Sequence, residues 1–283
     1  MEAKQLYGIL GNDFELAKCR DDWSKIKFNK FYTKSFRKRY MGVVLNNAKK
    51  VNKVYTAVFP SEDVLLGILD KGETDIMIFT HHPMVWDITK IPVFSDINAY
   101  LLPRLRERKI SLYTLHVPLD KVGDYSTATT LARVFGMPPE SEFYRYYGVY
   151  VGVIAKSDLD TVDDIAKRAK LIVGHDAKIY KYGKKQIEDK KVAFVGGGGN
   201  DPEVIKELAK LGINTFVTGV TKITPGYKPS VEAHALAKKH KINLIGLTHY
   251  SSEEFACRAM VKYFEKLGIS SEFIEGKPCL EDM

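Results

Sequence analysis

Cysteine is scarce in this chain. Three of 283 residues are cysteines, Cys19, Cys257 and Cys279, widely spaced and with no CxxC pair. That excludes a disulfide framework and a thiolate zinc site, and it fits a reduced, cytosolic protein. Long apolar runs are lacking too: no stretch reaches the roughly 18 apolar residues of a membrane span. The opening MEAKQLYGILGNDFEL carries acids where a secretory leader has its apolar stretch, so no signal peptide is expected. No linker rich in proline, glycine or serine cuts the chain. What is present is balanced: 45% apolar and 28% charged residues, the composition of a soluble globular protein of one or two domains. Disordered and fibrous classes are thereby excluded. The formal charge of +8 suits an anionic partner and also ordinary solubility.

Acid is missing from one stretch. Residues 25–40, KIKFNKFYTKSFRKRY, hold seven cations and five aromatic residues. Such a mixture binds phosphates or nucleic acid, or it is an exposed loop anchored by its aromatics.

Short apolar segments rich in β-branched and aromatic residues predict strands at 53–59, 75–80, 109–115, 148–154, 178–182, 191–196, 214–218 and 242–248. Helical periodicity predicts helices at 61–71, 96–108, 125–136, 161–172, 202–212, 231–240 and 252–267. Alternating strands and helices indicate an α/β protein with largely parallel sheet. A soft boundary falls in MPPESEFYRYY at 137–147, giving lobes at 1–140 and 141–283 within one compact unit. A weak repeat supports two related lobes. KGETDIMIFT and KISLYTLH in the first half match LGINTFVTG and KINLIGLTH in the second, in the same order.

Chemistry concentrates at predicted strand ends. DIMIFT runs into His81-His82-Pro83, where the proline stops the strand. KISLYTL runs into His116, with Asp120 four residues on. INLIGLT runs into His249, with Glu253 four residues on and Ser251 or Ser252 as candidate helix caps. An isolated histidine pair at a strand end most often just faces solvent. Here four of seven histidines take such positions, where open α/β sheets bind ligands. Imidazoles mixed with carboxylates suit zinc, iron, manganese or cobalt, and five or six donors are enough for two bridged ions. The segment VGGGGNDP has the glycines and helix start of an anion site, yet it fits neither a P-loop nor a dinucleotide fingerprint. It reads equally as a tight turn for close packing or as a wall of the metal crevice. His234 reads as a surface or partly satisfied histidine, and Trp86 as loop packing or a stacking platform.

Taken together, FTHHP, HVPLDKV, the glycine segment with a TG element, and LTHYSSE resemble the dinuclear metal-centre proteins of the Nif-three-like (Ngg-interacting factor three) family. These are often labelled GTP cyclohydrolase 1 type 2 homologues. The likeness spans about residues 50–270. It implies two related lobes of mixed and parallel sheet flanked by helices, two divalent ions (Zn, Fe, Mn or Co) between the lobes, and a ring-shaped homo-hexamer. It places the metal ligands at His81, His82, Asp120, His249 and Glu253, and His116 as a histidine lining the site, which would move protons as acid or base if it is not itself a ligand. The implied activity is metal-dependent hydrolysis of an anionic substrate such as a nucleotide; the label itself means water attack on C8 of GTP with release of formate. One position departs from the family: Val220 stands where a glutamate usually follows the TG element. A non-catalytic metal-binding scaffold and a nucleic-acid-binding ring are the alternatives.

Overall fold

The computed structural model describes residues 1–224 and 226–283. Contacts divide the chain into two units, Met1–Leu119 with Cys257–Lys277, and Asp120–Ala256 with Pro278–Met283. No helix among the described residues is long and apolar enough to cross a membrane.

In the first unit α1 (Ala3–Asp13) and α2 (Lys34–Arg39) precede β1 (Gly42–Leu45) and β2 (Lys53–Ala57). Then come α3 (Glu62–Asp70), β3 (Ile76–Thr80), the short β4 (Val85–Trp86) and β5 (Phe94–Ser95), α4 (Leu101–Glu107), β6 (Ile110–Thr114) and α5 (Val117–Asp120). Both β3 and β6 are buried at every residue. Their continuous runs, IMIFT and ISLYT, are what a parallel strand covered on both faces requires. They pair in parallel, with Thr80 opposite Thr114, so their carboxyl ends lie level. The core beside them takes Val64, Leu65 and Ile68 from α3 and Leu101 and Leu105 from α4.

The second unit follows as α6 (Thr127–Val134), β7 (Pro139–Tyr146), β8 (Val149–Lys156), α7 (Val162–Val173), β9 (Lys178–Tyr180), β10 (Lys191–Val195) and α8 (Pro202–Lys210). It continues with β11 (Thr215–Thr218), α9 (Lys228–His240), β12 (Asn243–Gly246) and α10 (His249–Lys266), and the chain then adds β13 (Ser270–Phe273) to the first sheet. The sheet orders are β1-β6-β3-β2-β13 and β7-β8-β10-β11-β12-β9. Strand β10 shows how one segment serves two cores. Val192 and Phe194 join Leu131, Val162 and Ile165 on one face, while Ala193 and Val195 join Val204, Leu208 and Ala233 on the other. The two-residue repeat of a strand makes this division.

All eight predicted strands form, in a mixed rather than largely parallel arrangement: β10, β11 and β12 are parallel, but β7, β8 and β9 pair antiparallel, as does β1. Residues 137–147, expected as a boundary, contain edge strand β7, which hairpins into β8 through Tyr147 (φ +47°) and Gly148 (φ +87°). Only Phe143 of β7 is fully buried, so the segment carries little apolar alternation to read. The two KIxL segments form β6, parallel to β3, and β12, parallel to β11.

His234, on α9, is buried rather than a surface residue, and both ring nitrogens have partners. Nε2 lies 2.8 Å from the Thr221 carbonyl, and Nδ1 lies 2.9 Å from the Tyr182 hydroxyl. A carbonyl only accepts, so Nε2 carries the hydrogen and Nδ1 accepts from Tyr182. Burial pushes its pKa below the usual histidine value, against a smaller upward pull from Thr221. The folded state therefore resists protonation. Its contribution is complete above about pH 6.5, the unfolded value, and declines as pH falls through that point toward the lowered folded value. The melting temperature of the wild type should drop more steeply from pH 7 to pH 5 than that of His234→Gln; parallel curves would refute the linkage.

Candidate metal centre

In the first unit the chain extends β3 by two residues before Pro83 stops it. His81 N–H donates to the Ala57 carbonyl (3.2 Å) and His82 N–H to the Val58 carbonyl (3.0 Å). Both side chains are buried, as is that of His116, two residues past β6. Each of the three imidazoles offers a ring nitrogen, and the three nitrogens lie within 4.8 Å of one another. His82 stacks on Phe59 with ring centroids 4.7 Å apart.

Hydrogen bonds set which nitrogen of each ring can give a lone pair. His81 Nδ1 is 2.9 Å from the Leu115 carbonyl, so it carries the hydrogen and Nε2 is the donor atom. His116 Nδ1 is 3.0 Å from Asp21 Oδ2. That carboxylate also accepts from Trp23 Nε1 at 2.8 Å and is 1% exposed. The Trp23 ring lies 5.1 Å from His116. Asp21 and Trp23 were not expected from the sequence. Their DDW triplet merely looks polar, and the contact to His116 spans 95 positions.

The second unit holds an acidic set of its own. His249 and Glu253, four apart on α10, share a helix face, with Nε2 3.3 Å from Oε1. Carboxylate oxygens of Asp120 and Glu253 lie within 4.8 Å of each other. Asp120 is steadied by the Thr127 hydroxyl at 2.9 Å. Two carboxylates this close, one of them 2% exposed, repel unless a cation or proton offsets them. The donor chemistry of both sets fits divalent transition metals.

The glycine turn makes room for the acidic set. A Cβ on Gly197 would sit 2.2 Å from Glu253 Oε1 and 3.0 Å from His249 Nε2, and its φ of +64° is left-handed. Gly197 N–H donates to Ser252 Oγ at 2.8 Å, and its carbonyl accepts from Val220 N–H at 2.9 Å. Asp201 caps α8 through Glu203 N–H, with Pro202 at the first helical position.

Helix α10 starts earlier than predicted, and neither serine caps it. Ser251 Oγ engages His175 and Thr248, and Ser252 Oγ engages Gly197 N–H and the His249 carbonyl. Thr248, at φ +74°, accepts from Ser251 N–H at 3.1 Å. The buried Asp282 carboxylate takes His249 N–H at 2.9 Å, a negative charge at the helix start. Glu253 thus falls in the second turn, where a cap at Ser251 or Ser252 would have put it in the first. Nothing in the chain's last five residues advertised this role. Trp86 packs on Phe94 across the β4–β5 pair, with centroids 4.8 Å apart, which is the loop-packing alternative.

The family model described as Duf34/NIF3 (NGG1p interacting factor 3) matches residues 27–278. A "GTP cyclohydrolase 1 type 2 homolog" of Archaeoglobus fulgidus is 30% identical over 236 residues, covering 83% of this chain and 88% of the relative. One of Pyrococcus horikoshii is 26% identical, with the same coverages. Among solved structures, protein ybgI, of unknown function, superposes with a TM-score of 0.76 at 18% identity over 99% of this chain and 100% of the other. Reduced HcgD from Methanocaldococcus jannaschii superposes with a TM-score of 0.67 at 20% identity over 98% of each. These two show the shared fold.

Asp282→Ala should lower stability by about 1–3 kcal/mol, because His249 N–H loses a charged acceptor in a buried place. Urea denaturation checks this; a midpoint within error of the wild type would refute the capping role.

Proposed function

The chain belongs to the Duf34/NIF3 (NGG1p interacting factor 3) family, and from that premise we propose that it binds two divalent metal ions through His81, His82, Asp120, His249 and Glu253 and hydrolyses an anionic substrate such as a nucleotide. The observation that carries this is the clustering of His81, His82 and His116, three buried imidazoles with nitrogens within 4.8 Å. Asp120 and Glu253, whose carboxylate oxygens lie within 4.8 Å of each other, carry the negative charge that a pair of dications requires. The relatives named GTP cyclohydrolase 1 type 2 homolog support a nucleotide as the first class to try.

Bound divalent ions supply Lewis-acid polarisation and make water acidic enough to ionise near neutral pH. The chain's own residues do the rest. His81 presents Nε2 because the Leu115 carbonyl holds its Nδ1–H, and Glu253 is kept against His249 by the helix repeat. His116 moves the proton. Asp21 holds its Nδ1–H, so Nε2 is the basic nitrogen that takes a proton from the incoming water and returns it to the leaving group. Trp23 and Phe59 cover the imidazoles on the apolar side and keep bulk water from them.

A second reading, a metal-binding scaffold without turnover, is favoured by Val220. This residue is buried and cannot bind metal or accept a proton.

Elemental analysis of purified protein should find two divalent ions per chain. His81→Ala and Glu253→Gln should each lose metal and lower turnover on a nucleotide and phosphoester panel at least about 100-fold. Turnover that survives His81→Ala would sink the hydrolase reading, and metal without any turnover would select the scaffold. The family likeness also leads us to propose a homo-hexamer, which sedimentation would read as six times 32.0 kDa; a monomeric mass would reject it.

A further inference from the structure

A run of seven cations lies between Lys25 and Arg39, a segment that the metal chemistry does not use. All seven cations there are exposed, and among the described residues none is ion-paired with a carboxylate within 4.0 Å. Elsewhere lysines such as Lys53, Lys181 and Lys277 do hold carboxylates.

The segment is built to display this charge. Phe28, Tyr32 and Phe36 turn inward and pack edge-on, with Phe28–Phe36 centroids at 5.1 Å and Tyr32–Phe36 at 5.6 Å. Asp96 ties the turn down by accepting from Asn29 N–H at 2.7 Å and from the Tyr32 hydroxyl. Thr33 caps α2 through Phe36 N–H. The inward aromatics anchor the stretch and leave its cations exposed, with Arg37 also donating to the Asn29 and Tyr32 carbonyls and Arg39 to that of Leu16 at 3.2 Å. Lys34 and Lys38, four apart on α2, share a helix face. Phe31 is the exception among the aromatics. It is 52% exposed, with Lys30 Nζ 5.7 Å from its ring.

Exposed cations beside an exposed aromatic ring match a phosphate backbone with unstacked bases. A duplex would have no free base face for Phe31, and a membrane would want more than one apolar side chain. We propose that residues 25–39 form a binding face for single-stranded nucleic acid, with phosphates on the cations and a base stacked on Phe31. The metal donors take no part in it, so it stands or falls separately from the hydrolase reading.

The test is fluorescence anisotropy of the full chain with a labelled single-stranded RNA of about 20 nucleotides, from 50 to 200 mM salt. If seven phosphates are neutralised, affinity should fall about 1000-fold across that range, a log–log slope of about −5. Replacing Lys27, Lys30, Lys34 and Lys38 by Gln should bring the slope to about −2. Phe31→Ala should weaken binding about tenfold and leave the slope unchanged. Both variants alter exposed side chains, and wild-type melting temperatures would establish that they fold. The proposal is overturned by an unchanged slope in the four-lysine variant, by full affinity in Phe31→Ala, by equal binding of a duplex, or by binding to phosphatidylserine vesicles with none to RNA.

Discussion

Crowding three imidazoles into a dry place strips their nitrogens of water, and much of the first unit is arranged around recovering that loss. His81 gives its Nδ1–H to the Leu115 carbonyl, and its own carbonyl accepts from the Thr114 hydroxyl at 2.7 Å. His116 gives its Nδ1–H to Asp21, itself held by Trp23. These bonds depend on β3 and β6 ending level. The in-register parallel ladder, with Thr80 opposite Thr114, secures that.

The second unit solves a related problem with opposite charge. Glu253 must lie close to Asp120 and His249, and the backbone gives way to allow it. Gly197 leaves out the Cβ that would collide with the carboxylate. Thr248 takes a left-handed φ of +74°, a strain of about 1–3 kcal/mol for a β-branched residue. Asp282 then supplies from the chain's end the cap that a local residue would otherwise give. Backbone strain and borrowed hydrogen bonds concentrated at one helix start are what a functional constellation leaves behind.

The fold was legible where the pattern was strong. Uncharged runs rich in β-branched and aromatic residues such as IMIFT and ISLYT gave their strands directly, and the His81-His82-Pro83 stop marked where β3 ends. Legibility failed where tertiary contacts outweigh local preference. Strand β7 is an exposed edge held by its hairpin partner, and α2 is six residues nested in an aromatic cluster. Helix α10 begins at His249 rather than near Ser251 because Asp282 and Thr248 stabilise its first turn.

The same division holds at the candidate metal centre. Sequence alone determined the donor types and their place at strand ends and along one helix face, because a proline stop and a four-residue helical spacing act over a few residues. It also determined that the cations of 25–39 have no acid among them. Only the tertiary structure decided that Asp21 orients His116, that Asp282 holds the start of α10, and that Gly197 clears space for Glu253. Each of those contacts joins positions far apart in the chain, and spacing along a sequence carries no information about such encounters.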